Sequence, residues 1–95
     1  MTAYVIADVR VDDAERYAEY RRQVMPTLEA YGGRFKVRGG EHETLEGAWR
    51  PNRLVVIEFE SVERAKAWWS SEEYAAPRAL RQSISEGSLV VVEGT

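Results

Sequence analysis

The sequence predicts an α+β domain with the ferredoxin-like order β-α-β-β-α-β and one four-stranded antiparallel sheet. Two observations support this fold class. Apolar and polar residues alternate with period two in several short segments, whereas apolar residues recur at spacings of three and four in the segments between them. Paired glycines and capping residues stand where one pattern gives way to the other.

The first strand is predicted over residues 3–11, where two sets of side chains alternate. Asp12 and Asp13 then supply an N-cap and favourable negative charge for the first turn of a helix. An amphipathic stripe runs along this helix at Tyr17, Arg21, Val24, Leu28 and Tyr31. Pro26 is expected to kink the helix, and Gly32 and Gly33 to end it.

The second strand is predicted over residues 34–38, between two glycine pairs. Strict alternation would place Phe35 and Val37 on one face, and Arg34, Lys36 and Arg38 on the other. Gly39 and Gly40 indicate a bulge, after which residues 42–46 are expected to continue as an edge strand. Residues 50–53 are typical of a turn.

Residues 54–59 form the third predicted strand, and Ser61 is expected to cap the helix that follows. Ser70 and Glu73 have the spacing of a capping box, which predicts a new helical segment there. Gly87 is expected to end that helix before a last strand at 89–93. Right-handed crossovers would place the first and third strands in the centre of the sheet. The helix-facing core is then predicted to contain Val5, Ala7, Val9, Phe35, Val37, Val55, Ile57 and Phe59.

Composition restricts the classes of function. The 95 residues suit one domain, 1–95, and the lack of cysteine excludes disulfides and thiolate chemistry. A net charge of −3 argues against a general nucleic-acid or anionic membrane surface. Leu54 and Val56 occupy the places where RNA-recognition domains carry base-stacking aromatic residues, so no nucleic-acid partner is expected. No apolar run is long enough to span a bilayer and no signal segment opens the chain, which predicts a cytoplasmic protein.

The face of the sheet away from the helices is predicted to combine bulky apolar residues with charged ones. An apolar patch of this kind indicates an interface, and a second copy of the same sheet would cover it. Asp8 and Glu58 would then pair with Lys36 or Arg38, either as structural ion pairs or as part of a site for a ligand or for catalysis. The predicted face contains Tyr4, Ile6, Asp8, Lys36, Arg38, Leu54, Val56 and Glu58.

Several motifs resemble the bacterial domain-of-unknown-function 1330 family. They are Tyr31-Gly-Gly-Arg-Phe35, Arg38-Gly-Gly40, Leu45-Glu-Gly-Ala-Trp49, Arg53-Leu-Val-Val-Ile-Glu-Phe59, Ala67-Trp-Trp-Ser-Ser71 with Glu73-Tyr74, and Arg81. The chain keeps a family proline at Pro51 but has Glu72 where a second proline is usual, which affects one local turn. The resemblance implies a homodimeric α+β barrel. The wider superfamily includes cofactor-independent monooxygenases, isomerases and haem-using enzymes, so the implied activity is open.

The candidate chemistry centres on His42 and Glu58 as catalytic bases. His42 could instead ligate haem iron, or be a solvent-exposed side chain between two glutamates. No group of residues has the spacing of a metal site, and no cofactor is expected. Arg38, Asp8, Tyr17 and Trp49 are the predicted substrate-binding residues.

Two hypotheses remain open at this point. In the first, a homodimer binds a small polar or aromatic metabolite between sheet and helices, with cofactor-free oxygenation or isomerisation conceivable. In the second, the chain is a non-catalytic homodimeric interaction module whose ion pairs only set the register of the dimer.

Overall fold

A computed structural model describes residues 1–95 and shows a four-stranded antiparallel sheet in the order β2-β3-β1-β4, with three helices. This architecture confirms the predicted ferredoxin-like α+β fold, with the first and third strands in the centre. None of the helices has the length and apolar character needed to cross a membrane. The elements are β1 (Ala3–Val11), α1 (Ala14–Ala30), β2 (Arg34–Arg38), β3 (Leu54–Phe59), α2 (Val62–Trp69), α3 (Glu72–Ile84) and β4 (Ser85–Glu93).

Each helix is preceded by an N-cap residue, whose side chain accepts a hydrogen bond from a backbone N–H in the first turn of the helix. Asp13 caps α1 and Ser61 caps α2, as the sequence predicts. Ser71, rather than the predicted Ser70, caps α3 by accepting from the N–H of Tyr74. Ser70 instead closes α2, since its N–H donates to the carbonyl of Lys66.

The core lies between the sheet and the helices. Alternate residues of β1 and β3 are buried there, which confirms Val5, Ala7, Val9, Val55, Ile57 and Phe59 as the helix-facing set. Trp68 packs on both Phe59 and Tyr74, with ring centroids 5.5 and 4.1 Å apart. Its indole N–H donates to Thr27 on α1, so the buried polar group is satisfied.

A β-bulge at Lys36 changes which way the end of β2 faces. Phe35 lies opposite Ile57, but Val37 lies opposite Val56, so Lys36 is the extra residue. Val37 therefore joins the face away from the helices, and Arg38 turns toward α1. The prediction that Val37 shares the core with Phe35 is wrong, and so is the placement of Arg38 on the outer face, because strict alternation does not survive an inserted residue.

Two further boundaries differ from the predictions. Residues 42–46 form no strand, because the chain leaves the sheet at Gly39, whose φ is +74°. The connection from 39 to 53 is instead held by side chains. At the other end, β4 begins directly at Ser85, and Gly87 lies within the strand opposite Val9. A Cβ at Gly87 would overlap the carbonyl of Asp8, so this glycine permits close strand pairing rather than ending a helix.

Candidate functional site

A small cavity between α1 and the sheet is lined by aromatic rings and by four arginines. It has a volume of about 30 Å³. The cavity lies near the residues where β2 ends and β3 begins, and the bulge at Lys36 brings Arg38 into its wall. We call it the arginine–tyrosine pocket and define it by Tyr17, Tyr20, Arg21, Arg38, Arg53, Tyr74 and Arg81.

Arg38 packs against both the sheet and α1. Its guanidinium carbon lies 4.2 Å from the centroid of the Phe35 ring, and Nη2 donates to the carbonyl oxygen of Arg21 at 3.1 Å. Burial lowers the pKa of Arg38, and the neighbouring charges of Arg21 and Arg53 lower it further. An anion in the pocket would favour the charged form of Arg38 and so raise its pKa.

Arg53 reaches the pocket from the residue before β3. Its guanidinium lies beneath Gly39, where any Cβ would overlap it, and 5.4 Å from the centroid of the Tyr17 ring. Nε of Arg53 is buried and has no hydrogen-bond partner, while Nη2 makes only a long contact of 3.5 Å with the carbonyl of Arg38. A buried N–H without an acceptor is unfavourable, so this donor suits an incoming oxygen atom.

No acidic residue balances these cations. The ion pairs of the protein join Arg10 to Asp12 and Glu86, and Arg34 to Glu58, so none involves a pocket arginine. No Asp or Glu lines the cavity either. The pocket thus combines uncompensated positive charge with aromatic walls.

The tyrosine hydroxyls form a short chain inside the pocket. Oη of Tyr20 lies 2.7 Å from Oη of Tyr74, and Nε of Arg81 donates to Tyr74 at 3.3 Å. Arginine only donates, and the two phenols share one hydrogen bond, so one phenol hydrogen has no acceptor in the protein. Burial, reinforced by Tyr74, raises the pKa of Tyr20. Tyr20 therefore stays neutral, and the pair presents a hydrogen-bond donor beside the cations.

A separate cluster forms where the 39–53 connection crosses the outer face. The carboxylate of Asp8 accepts from Nε1 of Trp49 at 2.9 Å and from the backbone N–H of Asn52 at 2.8 Å. The bond from Trp49, followed by that from Asn52, lowers the pKa of Asp8. Nε2 of His42 lies 2.8 Å from the carbonyl oxygen of Pro51, a contact that favours the tautomer with hydrogen on Nε2.

Glu58 pairs with Arg34 rather than with Lys36 or Arg38, at 2.6 Å. The hydrogen bond from Arg34 lowers the pKa of Glu58 and makes it a weaker base.

The structure therefore separates the predicted site residues. It brings Tyr17 and Arg38 together in the pocket and Asp8 and Trp49 together on the outer face; neither His42 nor Glu58 lines the pocket.

Sequence reasoning missed five pocket residues, namely Tyr20, Arg21, Arg53, Tyr74 and Arg81. Arg53 continues the alternation of Val55 and Ile57, so an earlier start for the strand would have placed it on the helix side. Tyr20 follows Tyr17 by three residues and shares its helix face. Nothing in the local sequence predicts that Tyr74 meets Tyr20, because that contact depends on how α3 packs on α1.

Comparison with known proteins places this architecture in a family. A family model described as Domain of unknown function (DUF1330) matches residues 2–95. The chain belongs to the DUF1330 family. No curated protein matches the sequence.

Solved structures share the fold of this DUF1330 protein at low sequence identity. A protein of unknown function from Rhodopseudomonas palustris aligns with a TM-score of 0.80 and 20% identity, over 99% of this chain and 82% of that one. A dimeric ferredoxin-like protein of unknown function from Thermobifida fusca gives 0.58 and 13%, over 99% and 92%. A Nitrosomonas europaea protein, provisionally named an antibiotic biosynthesis monooxygenase, gives 0.59 and 18%, over 99% and 98%.

Proposed function

We propose that this DUF1330 protein is a homodimer that binds a small aromatic anion in the arginine–tyrosine pocket. The main support for the proposal is that the pocket arginines have no acidic partner and share the cavity with aromatic rings. Planar guanidinium groups suit carboxylate and phenolate oxygens, and the rings suit an aromatic body.

The size of the cavity determines how a ligand would enter. About 30 Å³ corresponds to a single water molecule, so the closed pocket has room for one oxygen atom of the ligand. The ring of the ligand would lie at the mouth, against Phe35, where the guanidinium of Arg38 now stands. Binding therefore requires the half-buried Arg38 side chain to swing toward solvent and then close over the ring.

Such a pocket would stabilise negative charge on an oxygen atom. Cations and a phenol donor that line one small cavity favour an enolate or phenolate, the type of anion that forms in cofactor-free oxygenation and in isomerisation. Tyr17 and Arg38 keep their predicted binding roles in this proposal. A base role for His42 or Glu58, or a binding role for Asp8 or Trp49, needs a ligand that also reaches the outer face, since none of these residues lines the pocket.

The outer face supports the homodimer. Val37, Val56, Ile6 and Val90 lie side by side and form one apolar row across all four strands. Val90 and Val92 are 55% and 46% exposed in the single chain. A second copy would cover this row, and the dimeric Thermobifida fusca structure has the same fold.

Binding of 4-nitrophenolate, followed by its absorbance and by calorimetry, tests the pocket. The anion should bind the protein, and neutral nitrobenzene should bind at least about tenfold more weakly, because charge-assisted hydrogen bonds are the strong ones. Arg53→Gln should lose most of the affinity, while Arg22→Gln, an exposed charge change on α1, should keep it. Equal affinities for all three proteins, or no binding at all, would refute an anion pocket.

The interaction-module hypothesis is favoured by one observation, the contrast between a very small cavity and a broad apolar row. Sedimentation velocity separates it from ligand binding. Both hypotheses predict that the wild-type protein is a dimer and that Val90→Lys and Val92→Lys dissociate it. Only the ligand-binding hypothesis predicts that the wild-type dimer binds 4-nitrophenolate. A wild-type monomer at all concentrations would contradict the proposed assembly.

A further inference from the structure

A second concave region lies on the helix side of the edge strand β4. It is a groove of about 840 Å³ between α2, the end of α3 and the inner side of β4, well within the size range of small-molecule sites. We call it the α2–β4 groove. Its apolar wall includes Trp69, Leu89 and Val91, and Trp69 and Val91 are 41% and 37% exposed.

The groove also holds a cation with unused hydrogen bonds. Arg81 lines both the groove and the arginine–tyrosine pocket, and Nε of its guanidinium donates to Oη of Tyr74. No carboxylate lies within ion-pair distance of it. Arg81 is partly exposed and forms part of the wall of the groove.

The other charged residues of the groove leave this cation uncompensated. Glu86 also lines the groove, but its carboxylate faces Arg10 at 3.2 Å. Lys66 adds a further positive charge to the lining. The local charge therefore favours an anion, and the two terminal nitrogens of a guanidinium match the two oxygens of a carboxylate.

We propose that the α2–β4 groove is a separate site for a small amphipathic carboxylate. The carboxylate binds the terminal nitrogens of Arg81, and the apolar body lies against Trp69, Leu89 and Val91. The site differs in place from the arginine–tyrosine pocket, although Arg81 stands in the wall between them.

The probe is 3-phenylpropionate, titrated into the ¹⁵N-labelled full chain. Amide signals of residues 66–70 and 85–91 should shift, and 3-phenylpropan-1-ol, which lacks the charge, should bind at least about tenfold more weakly. Arg81→Gln should weaken binding by a similar factor, and Arg81→Lys should restore it only in part, because lysine keeps the charge but not the paired donors. Arg22→Gln is the control and should bind as the wild type does.

Val91→Trp provides a variant that fills the groove from β4 and leaves Arg81 itself unchanged. It should abolish binding of 3-phenylpropionate and leave binding of 4-nitrophenolate unchanged. Shifts confined to residues 17–21 and 34–39 would overturn the groove site while supporting the arginine–tyrosine pocket. Equal binding of acid and alcohol, binding unaffected by Val91→Trp, or no shifts at all would overturn the groove site alone, because the pocket has its own probe.

Discussion

The two faces of the sheet differ in whether their charged side chains have partners. On the outer face, the carboxylates of Asp8 and Glu58 have donors close by, in Trp49 and Arg34. On the helix side, where a core normally excludes ionised groups, Arg38 and Arg53 stand among aromatic rings with no acidic partner. This contrast, uncompensated charge on the buried side and paired charge on the open side, is the reason for placing the proposed ligand site on the helix side.

One inserted residue contributes to this difference. The bulge at Lys36 places Val37 in the outer apolar row and turns Arg38 into the pocket. A regular strand would have put a valine in the core and an arginine in the interface. The same insertion thus serves both the proposed dimer and the proposed ligand site.

The largest effect that separates the faces is expected from Trp68→Ala. Trp68 is fully buried on the helix side, and its removal should lower the free energy of unfolding by about 3–5 kcal/mol. Val90→Ala on the outer face should change the stability of an isolated chain by no more than about 0.5 kcal/mol. Urea unfolding at several protein concentrations measures both, and a loss at Val90 that depends on concentration would show that a second copy covers it.

Most of the fold follows from periodicity, since the alternation in β1 and β3 already assigns the core. Periodicity does not predict the position of Arg38. The place of the bulge depends on pairing with β3, and the five residues of β2 contain no pattern that indicates it. The pocket could be predicted only in part for a similar reason. Tyr17 and Arg38 come from elements close in sequence, whereas Tyr74 and Arg81 arrive through the packing of α3, which no local pattern specifies.

A smaller effect is expected from Gly39→Ala, which tests the position of Arg53. Gly39 has a φ of +74°, and an added Cβ would overlap the Arg53 guanidinium, so the substitution should cost roughly 1–3 kcal/mol and weaken anion binding. Gly40→Ala is the matched control, because nothing lies within 4 Å of its Cβ and its φ is not positive. Equal stability of the two variants in urea unfolding would place Arg53 elsewhere.

The smallest effect concerns the anchor of the 39–53 connection on the outer face. The folded pKa of Asp8 lies below its ordinary value of 3.8, so the ionised carboxylate stabilises the fold above that pH. This contribution is lost as the pH falls through the lowered value. The Nε1 proton signal of Trp49 should then move toward that of a free indole, and in Asp8→Asn this acid transition should be absent. A Trp49 signal that is constant across the acid range would contradict the anchor.

The central claim is that Arg38 faces the helices, and nuclear Overhauser contacts of its side chain test this most directly. Nη1 of Arg38 lies 3.7 Å from Sδ of Met25, and the guanidinium stands over Phe35, so contacts from Arg38 to the Met25 methyl group and the Phe35 ring are expected. Contacts from Arg38 to Ile6 or Val56 instead would place it on the outer face and contradict the account.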